Sequence, residues 1–369
     1  MKNLFLNLLF TGYLFICFNS CSSNNKEDEF LTIPVDVSQN SSLSLSDIAE
    51  NVRAIELEET DQSLIGNWEV GKYRFVISDD YILFFSDGIS SDQLLLFDNN
   101  GKFLHKIGSL GQGPGEYDNI MDVAADFINE IIFVGTISKI ICYDFKGNFI
   151  KESKFFFTDY INFADNKLFA FKTHVDKSEI SSYKIIHMIY KLNSNLIITD
   201  SIKIREIYSS NQAYFNFNGD YITCAGEDLY ISKSVFIPKQ LLNKPINSDT
   251  LYLLKNITLI PQLRLKFSDE ESESAKSTKH IIYICKSSRY IFSWYSLGFT
   301  EHYFFCYDMK EKKGYNLKDG YNDDIHTGEK VKIRPVSSDA NQFYYLHTNM
   351  NNPQKDEPNP TLYIGYLKK

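Results

Sequence analysis

Phe97-Asp98-Asn99-Asn100-Gly101-Lys102-Phe103 returns as Tyr143-Asp144-Phe145-Lys146-Gly147-Asn148-Phe149, a shift of 46 residues (143 − 97). Each copy sets an aromatic-Asp pair, a Gly-containing turn and a second aromatic in the same order, the arrangement that joins two short strands tightly. Around the first copy lie Tyr73 to Ser78, Tyr81 to Ser86, Gln93 to Phe97 and Phe103 to Ile107. Around the second lie Ile120 to Ala125, Ile131 to Gly135, Ile140 to Tyr143 and Phe149 to Lys154. These runs are rich in Ile, Phe, Tyr and Val and are separated by turn formers such as Asp79-Asp80 and Asp87-Gly88, so they read as strands. Four strands in such a period belong to repeat architectures, in which one sheet cannot bury both of its faces alone.

More degenerate groups fall near Tyr160 to Ile204, Phe215 to Phe267, His280 to Leu317 and Val331 to Lys369. The last group offers Val331 to Val336, Gln342 to His347 and Thr361 to Leu367, then stops one strand short. Upstream, Leu45-Ser46-Asp47-Ile48-Ala49-Glu50 reads as a short capped helical turn, and Val52 to Glu58 alternates as a half-buried strand does. That spare strand completes the last group and closes the ring. The predicted fold class is all-β: a six-bladed β-propeller over 45–369, with four-stranded blades and the N-terminal strand paired to the last blade. The alternative, a β-sandwich with a satellite domain, needs fewer strands than this length supplies.

The first thirty residues speak about location. A basic start, the apolar run Leu4 to Phe18 and Asn19-Ser20-Cys21 resemble a bacterial lipoprotein signal, which makes 1–20 a signal peptide, Cys21 the lipidated residue and 21–44 a polar tether. The apolar run is shorter than the roughly 20 residues a spanning helix needs, so the mature chain is expected to be anchored, not threaded. A buried N-terminal helix, or a signal cut without lipidation, is the other reading. Position 22 is Ser, not Asp, and Lys26-Glu27-Asp28-Glu29 follows. Both resemble lipoproteins bound for the outer membrane and its surface.

The formal charge of −9 becomes −10 once Lys2 leaves with the signal, and Lys and Arg are scattered among more numerous acids. Such a surface does not suit nucleic acid. Cys142, Cys224, Cys285 and Cys306 each sit inside an apolar run without metal-ligand spacing, and read as buried free thiols, with a Cys285/Cys306 bridge as the exception.

The densest motif is Gly108-Ser109-Leu110-Gly111-Gln112-Gly113-Pro114-Gly115-Glu116-Tyr117. A phosphate-cradling loop must open a helix, whereas Ile120 to Ala125 reads as a strand. The glycines are therefore expected to let the chain cross from the outer strand of one blade to the inner strand of the next. Gly101-Lys102-Phe103-Leu104, Ile107-Gly108 and Gly111 to Tyr117 together resemble six-bladed β-propeller lipoproteins of Gram-negative gut-type bacteria, relatives of NHL-repeat propellers. Leu45-Ser46-Asp47-Ile48, Ile55-Glu56-Leu57-Glu58, Ser248 to Tyr252 and Asn359 to Lys368 agree, while 155–245 departs most. The resemblance implies a propeller and an envelope location; it implies little about activity.

No catalytic, cofactor-binding or metal-ligating set emerges. The seven histidines form no HExxH or HxH pair and read as surface or edge residues, and Asp79-Asp80 and Asp323-Asp324 read as turns. Ser268 to Ser274 reads as a solvated loop. The functional expectation is a noncatalytic module that takes a protein, peptide or glycan partner on one loop face, with Gln112, Pro114, Glu116 and Tyr117 as the candidate binding residues. The competing expectation is a metal-dependent envelope lactonase, lyase or glycan-active enzyme with carboxylates, Asn or His converging on the central channel.

Overall fold

The computed structural model describes residues 30–65, 72–87, 93–155, 158–179, 182–209, 222–232, 249–255, 257–268, 279–298, 301–347 and 359–369. The expected signal peptide (1–20) and the expected lipidation residue Cys21 lie outside them.

Strand β1 (Leu31–Val35), helix α1 (Leu45–Ile48) and strand β2 (Ala49–Glu56) precede the repeats. Blade 1 comprises β3 (Lys72–Ile77), β4 (Tyr81–Asp87), β5 (Leu94–Asp98) and β6 (Phe103–Lys106). Blade 2 comprises β7 (Asp122–Asp126), β8 (Ile131–Gly135), β9 (Lys139–Asp144) and β10 (Phe149–Lys154). Blade 3 has β11 (Tyr160–Ala164) and the longer β12 (Lys167–Glu179), β13 (Ser182–Leu192) and β14 (Ile198–Ser209). Blade 4 follows with β15 (Ile222–Ala225), β16 (Asp228–Ser232), β17 (Thr250–Lys255) and β18 (Thr258–Phe267). Blade 5 is β19 (Lys279–Lys286), β20 (Tyr290–Leu297), β21 (Glu301–Asp308) and β22 (Lys313–Lys318), and a small hairpin of β23 (Tyr321–Asn322) and β24 (Lys330–Val331) comes next. Blade 6 is β25 (Arg334–Pro335), β26 (Gln342–His347) and β27 (Thr361–Leu367), with β2 as its outermost strand.

The fold is a six-bladed β-propeller. Its ring closes as expected: β2 runs antiparallel to β27 from Ala49↔Leu367 to Glu56↔Thr361. The repeated motif that revealed the period is one turn built twice. Asp98 Oδ1 accepts the amides of Asn100 and Lys102, and Asp144 Oδ1 accepts those of Lys146 and Asn148. Gly101 and Gly147 then take φ of +86° and +83°, a region a side chain rarely adopts. Each glycine also abuts the preceding blade: a Cβ at 101 would strike the Glu56 carbonyl, and one at 147 would press on that of Lys106.

Each of six apolar clusters fills one seam between neighbouring blades. Phe85 and Leu96 meet Ile132 and Tyr143 at the first seam, and Phe84 and Phe97 meet Tyr344 and Leu362 where the ring closes. Successive side chains point to opposite faces of a strand, and both faces are covered. Runs such as Ile82-Leu83-Phe84-Phe85 are therefore buried throughout instead of alternating.

The 21–44 tether is corrected from residue 31 onward. Leu31 to Val35 forms β1, parallel to β18 from Leu31↔Leu263 to Val35↔Phe267, and gives blade 4 a fifth strand. Ile33 and Val35 are buried there, and Leu43 enters the seam between blades 5 and 6. The alternation Leu31-Thr32-Ile33-Pro34-Val35 carried this signal inside a polar neighbourhood.

The thiols of Cys142, Cys224, Cys285 and Cys306 are buried and unbridged, as expected. Cys285 and Cys306 both lie opposite Phe292, on either side of β20. Two strand spacings, roughly 9–10 Å, exceed the reach of a disulfide.

Candidate functional site

Because every blade begins with its inner strand, the six inner strands run in one sense along the axis. Among the described residues, the strand ends on one side carry the long stretches 57–65, 107–121 and 319–333. Among the described residues the other side carries the short turns 78–80, 127–130, 165–166, 226–227 and 287–289, and the 336–341 connection that crosses the axis. Among the described residues, the longer connections thus lie mainly on one set of strand ends, where loop surface for recognition accumulates.

The axis is occupied by a cross-blade charge pair. Arg74 of β3 meets Asp122 of β7 at 3.1 Å, and Asp122 Oδ2 accepts the Ile161 amide of β11 at 2.8 Å. The guanidinium also lies over the rings of Phe85 and Tyr160, at 5.3 and 4.9 Å. The cavity beside this pair, lined also by Asn162, Ile222 and Ser338, holds about 40 Å³, room for ordered solvent. Beyond it, the connection after β25 crosses the axis: the Cys224 amide donates to the Ser337 carbonyl (3.0 Å) and the Ala340 amide to the Cys224 carbonyl (2.7 Å). Ser338 Oγ donates to the Ile77 carbonyl at 2.8 Å. These bonds tie blades 1, 4 and 6 together and stopper the ring. Among the described residues, no three or more His, Cys, Asp or Glu are grouped to hold a metal ion.

The Gly-rich crossing between blades 1 and 2 is a closed unit. Glu116 Oε2 accepts the Gly113 amide at 2.8 Å, and Glu152 Oε2 accepts the Gly115 amide at 3.0 Å. Lys139 Nζ bridges the Gly113 carbonyl (3.0 Å) and Glu152 (2.8 Å), and Tyr143 donates its hydroxyl to the Gly115 carbonyl at 2.7 Å. Carboxylates therefore occupy the two amides that a phosphate would need, and the crossing leads into β7, not a helix. Burial works to raise Glu152, but the Lys139 hydrogen bond and the Gly115 amide outweigh it and hold its carboxyl below the ordinary range. Gln112 and Pro114 are exposed at the tip. Glu116 is turned into the loop. Tyr117 is corrected as a surface binding residue: it is fully buried in the seam, its hydroxyl donating to the Ile107 carbonyl at 3.2 Å.

A second polar group went unread in the sequence. Thr173 Oγ1 of β12 donates to Asp159 Oδ2 at 2.6 Å and stands 3.2 Å from His187 Nδ1 of β13. Since the hydroxyl proton goes to the carboxylate, Nδ1–H is the donor on the histidine, and its Nε2 is left buried without a hydrogen-bond partner. Arg205 lies opposite His187 on β14. Burial pushes Asp159 up to about 6, against the Thr173 hydrogen bonds. Burial, with Arg205 adding to it, pushes His187 down to about 3. His280 is not a surface histidine: it is 5% exposed and burial takes it to about 4. His187 is half-buried, with its Nε2 covered. Thr173 and His187 carry no local motif, and only their pairing across β12 and β13 brings them together.

The acidic pairs organise turns, as expected. Asp323 accepts the amides of Ile325, His326 and Thr327 and the hydroxyl of Tyr345, and Asp324 accepts the Ser46 amide. Asp79 offers its carbonyl to the Asn99 side chain.

Residues 30–361 match the sequence pattern of a family described as a domain of unknown function, DUF4934. The chain belongs to the DUF4934 family. Among solved structures, a Bacteroides fragilis NCTC 9343 protein described as exported is similar at 18% identity and a TM-score of 0.60, covering 92% of this chain and 100% of its own. The extracellular domain of a one-component system of B. thetaiotaomicron matches at 10% identity and 0.39, over 83% of this chain and 34% of its own. The Neurospora crassa Pan2 WD40 domain matches at 10% and 0.39, over 80% and 75%. Among curated proteins, none matches the chain.

Proposed function

We propose that this protein is an envelope-anchored, noncatalytic propeller that takes a protein, peptide or glycan partner on the side of its long connections. The observation that carries this reading is the asymmetry of the ring. Among the described residues, the longer connections lie mainly on one set of strand ends, and the axial cavity beside Arg74 and Asp122 offers about 40 Å³, far below the several hundred Å³ of ordinary small-molecule sites. Gln112 and Pro114 present a rigid tip on that side. An export-type leader over 1–20, directly before Cys21, and the likeness to a protein described as exported, support an envelope location. Acylation of Cys21 supplies the anchor, in the outer membrane and open to its surface; several acyl chains are needed for durable attachment.

The test is a peptide and glycan array probed with purified protein, followed by calorimetry on each hit and a check for product. Binding weakened by Gln112→Ala and Pro114→Ala, with every hit recovered intact, supports the proposal. Turnover of a hit that is lost in an axial Asp122→Asn variant would instead make the axis an active site.

A further inference from the structure

Among the described residues, half of the exposed large apolar side chains fall in one sector of the ring. Phe149 and Ile150 open β10 of blade 2, Ile197 and Ile198 open β14 of blade 3, and Ile257 and Ile260 sit at the start of β18 of blade 4. Structural contacts join these into one surface. Lys151 Nζ, next to Ile150, donates to the Ser194 carbonyl in the turn before Ile197. A cavity of about 130 Å³ runs from Lys191 and Asp200 of blade 3 to Leu254 and Ile257 of blade 4. Leu31, itself exposed, pairs with Leu263 on the same outer strand as Ile260. The other exposed apolar side chains among the described residues include Leu64, Leu110, Ile128, Ile137, Tyr208 and Ile325, which lie on other connections or at the far end of β14. Single exposed hydrophobes are ordinary, whereas a contiguous set spanning three blades marks an interaction surface.

We infer that this sector docks on the lipid surface that carries the anchor. The inference rests on the acylation of Cys21 proposed above, and the occupant follows from where the chain enters the ring. Nine residues, 22–30, separate Cys21 from Leu31. A stretch of that length bridges about 30 Å at most. Leu31 begins β1 at the edge of the apolar sector, so the bilayer surface and the sector are held within reach of each other. Ile and Phe tips then lie against the headgroup region, and the cavity between blades 3 and 4 sets Lys167 and Lys191 beside Asp165 and Asp200, a charge-balanced lining that suits zwitterionic headgroups. Docking also fixes the rotation of the ring, which turns blades 5, 6 and 1 away from the membrane.

The experiment uses the full lipidated protein in phosphatidylethanolamine–phosphatidylglycerol vesicles that carry brominated acyl chains. Tryptophan is placed by Ile198→Trp, Ile257→Trp and, as a reference on the long-connection side, Leu110→Trp, with emission read above the background of Trp68 and Trp294. Ile150→Trp is a second reporter should either replacement fail to fold. Quenching at 150, 198 and 257 several-fold greater than at 110 is the expected result. Equal quenching at 110 and in the sector, with acyl chains on Cys21 verified by mass spectrometry, overturns the docking surface alone. An unacylated Cys21 overturns the anchor and the docking surface together.

Discussion

The seam between blades 1 and 2 and the seam between blades 3 and 4 each pack two four-stranded repeats face to face but differ in how their polar groups are served. At the first, the crossing loop, Glu116, Lys139, Tyr143 and Glu152 satisfy one another, and Arg74, Asp122 and Ile161 extend the network to the axis. At the second, Asp159, Thr173 and His187 form a short chain that ends on a buried, unpartnered Nε2. A buried polar group without a partner carries its full desolvation cost, while a satisfied network fixes its geometry. The first seam is a rigid mount for the exposed tip at Gln112 and Pro114; the second is the seam whose charge state responds to pH.

Removing the charge partner at the axis should do most to break that contrast. Asp122→Ala leaves the Arg74 guanidinium buried beside the axis and is expected to cost about 3–5 kcal/mol, measured by denaturant titration. A loss below 1 kcal/mol would show that the pair does not hold blades 1, 2 and 3 together.

Next comes Gly108→Ala. Gly108 has φ +65°, and an added Cβ would lie 2.6 Å from the Tyr143 hydroxyl and 2.7 Å from Tyr117. Strain of about 1–3 kcal/mol is expected, with a matching fall in the unfolding midpoint. Glu152→Gln, which keeps the shape but loses the charge-assisted bonds to Lys139 and the Gly115 amide, should cost about 1 kcal/mol. It should also loosen hydrogen-exchange protection at the Gly115 amide; unchanged protection there would contradict the closed-unit description.

The second seam is sharpened by pH. His187 folds with its proton affinity depressed to about 3, so between its ordinary value near 6.5 and about 3 the unfolded chain takes up a proton that the folded chain refuses. Its contribution is present above about pH 6.5 and is lost as pH falls. Asp159, raised to about 6, acts oppositely: the folded chain keeps a proton that the unfolded chain releases above about 3.8, so stability is lost as pH rises through 6. His187→Gln should flatten the acid-side fall in stability, and Asp159→Asn should steepen the net fall by removing the opposing contribution. Wild-type slopes in both variants would remove the pH response from this seam. The smallest effect is at the thiols: burial raises Cys142 to about 12 and Cys224 to about 11, so a thiol reagent at pH 8 should label neither until the protein is unfolded.

The blades were legible because each turn announces itself locally. Asp98 and Asp144 fold their own hairpins, and Gly101 and Gly147 supply the backbone conformation that follows. Ring closure was legible from a count, since three strands at one end needed the one at the other. Strand β1 was missed because five alternating residues are surrounded by Ser, Asn and Asp, and only pairing with β18 reveals their buried side. Tyr117 was misplaced for a related reason: glycines mark a crossing loop but do not say which side chains it tucks beneath itself. The Asp159–Thr173–His187 chain left no trace in one dimension, because its members meet only across strands.

The most direct test of the account is photo-crosslinking in intact cells from two positions, one at Gln112 on the long-connection side and one at Asp79 on the short-turn side. The account predicts a discrete partner adduct from 112 and none from 79. An adduct from 79 alone would contradict it, because the partner would then sit on the side where the connections are short.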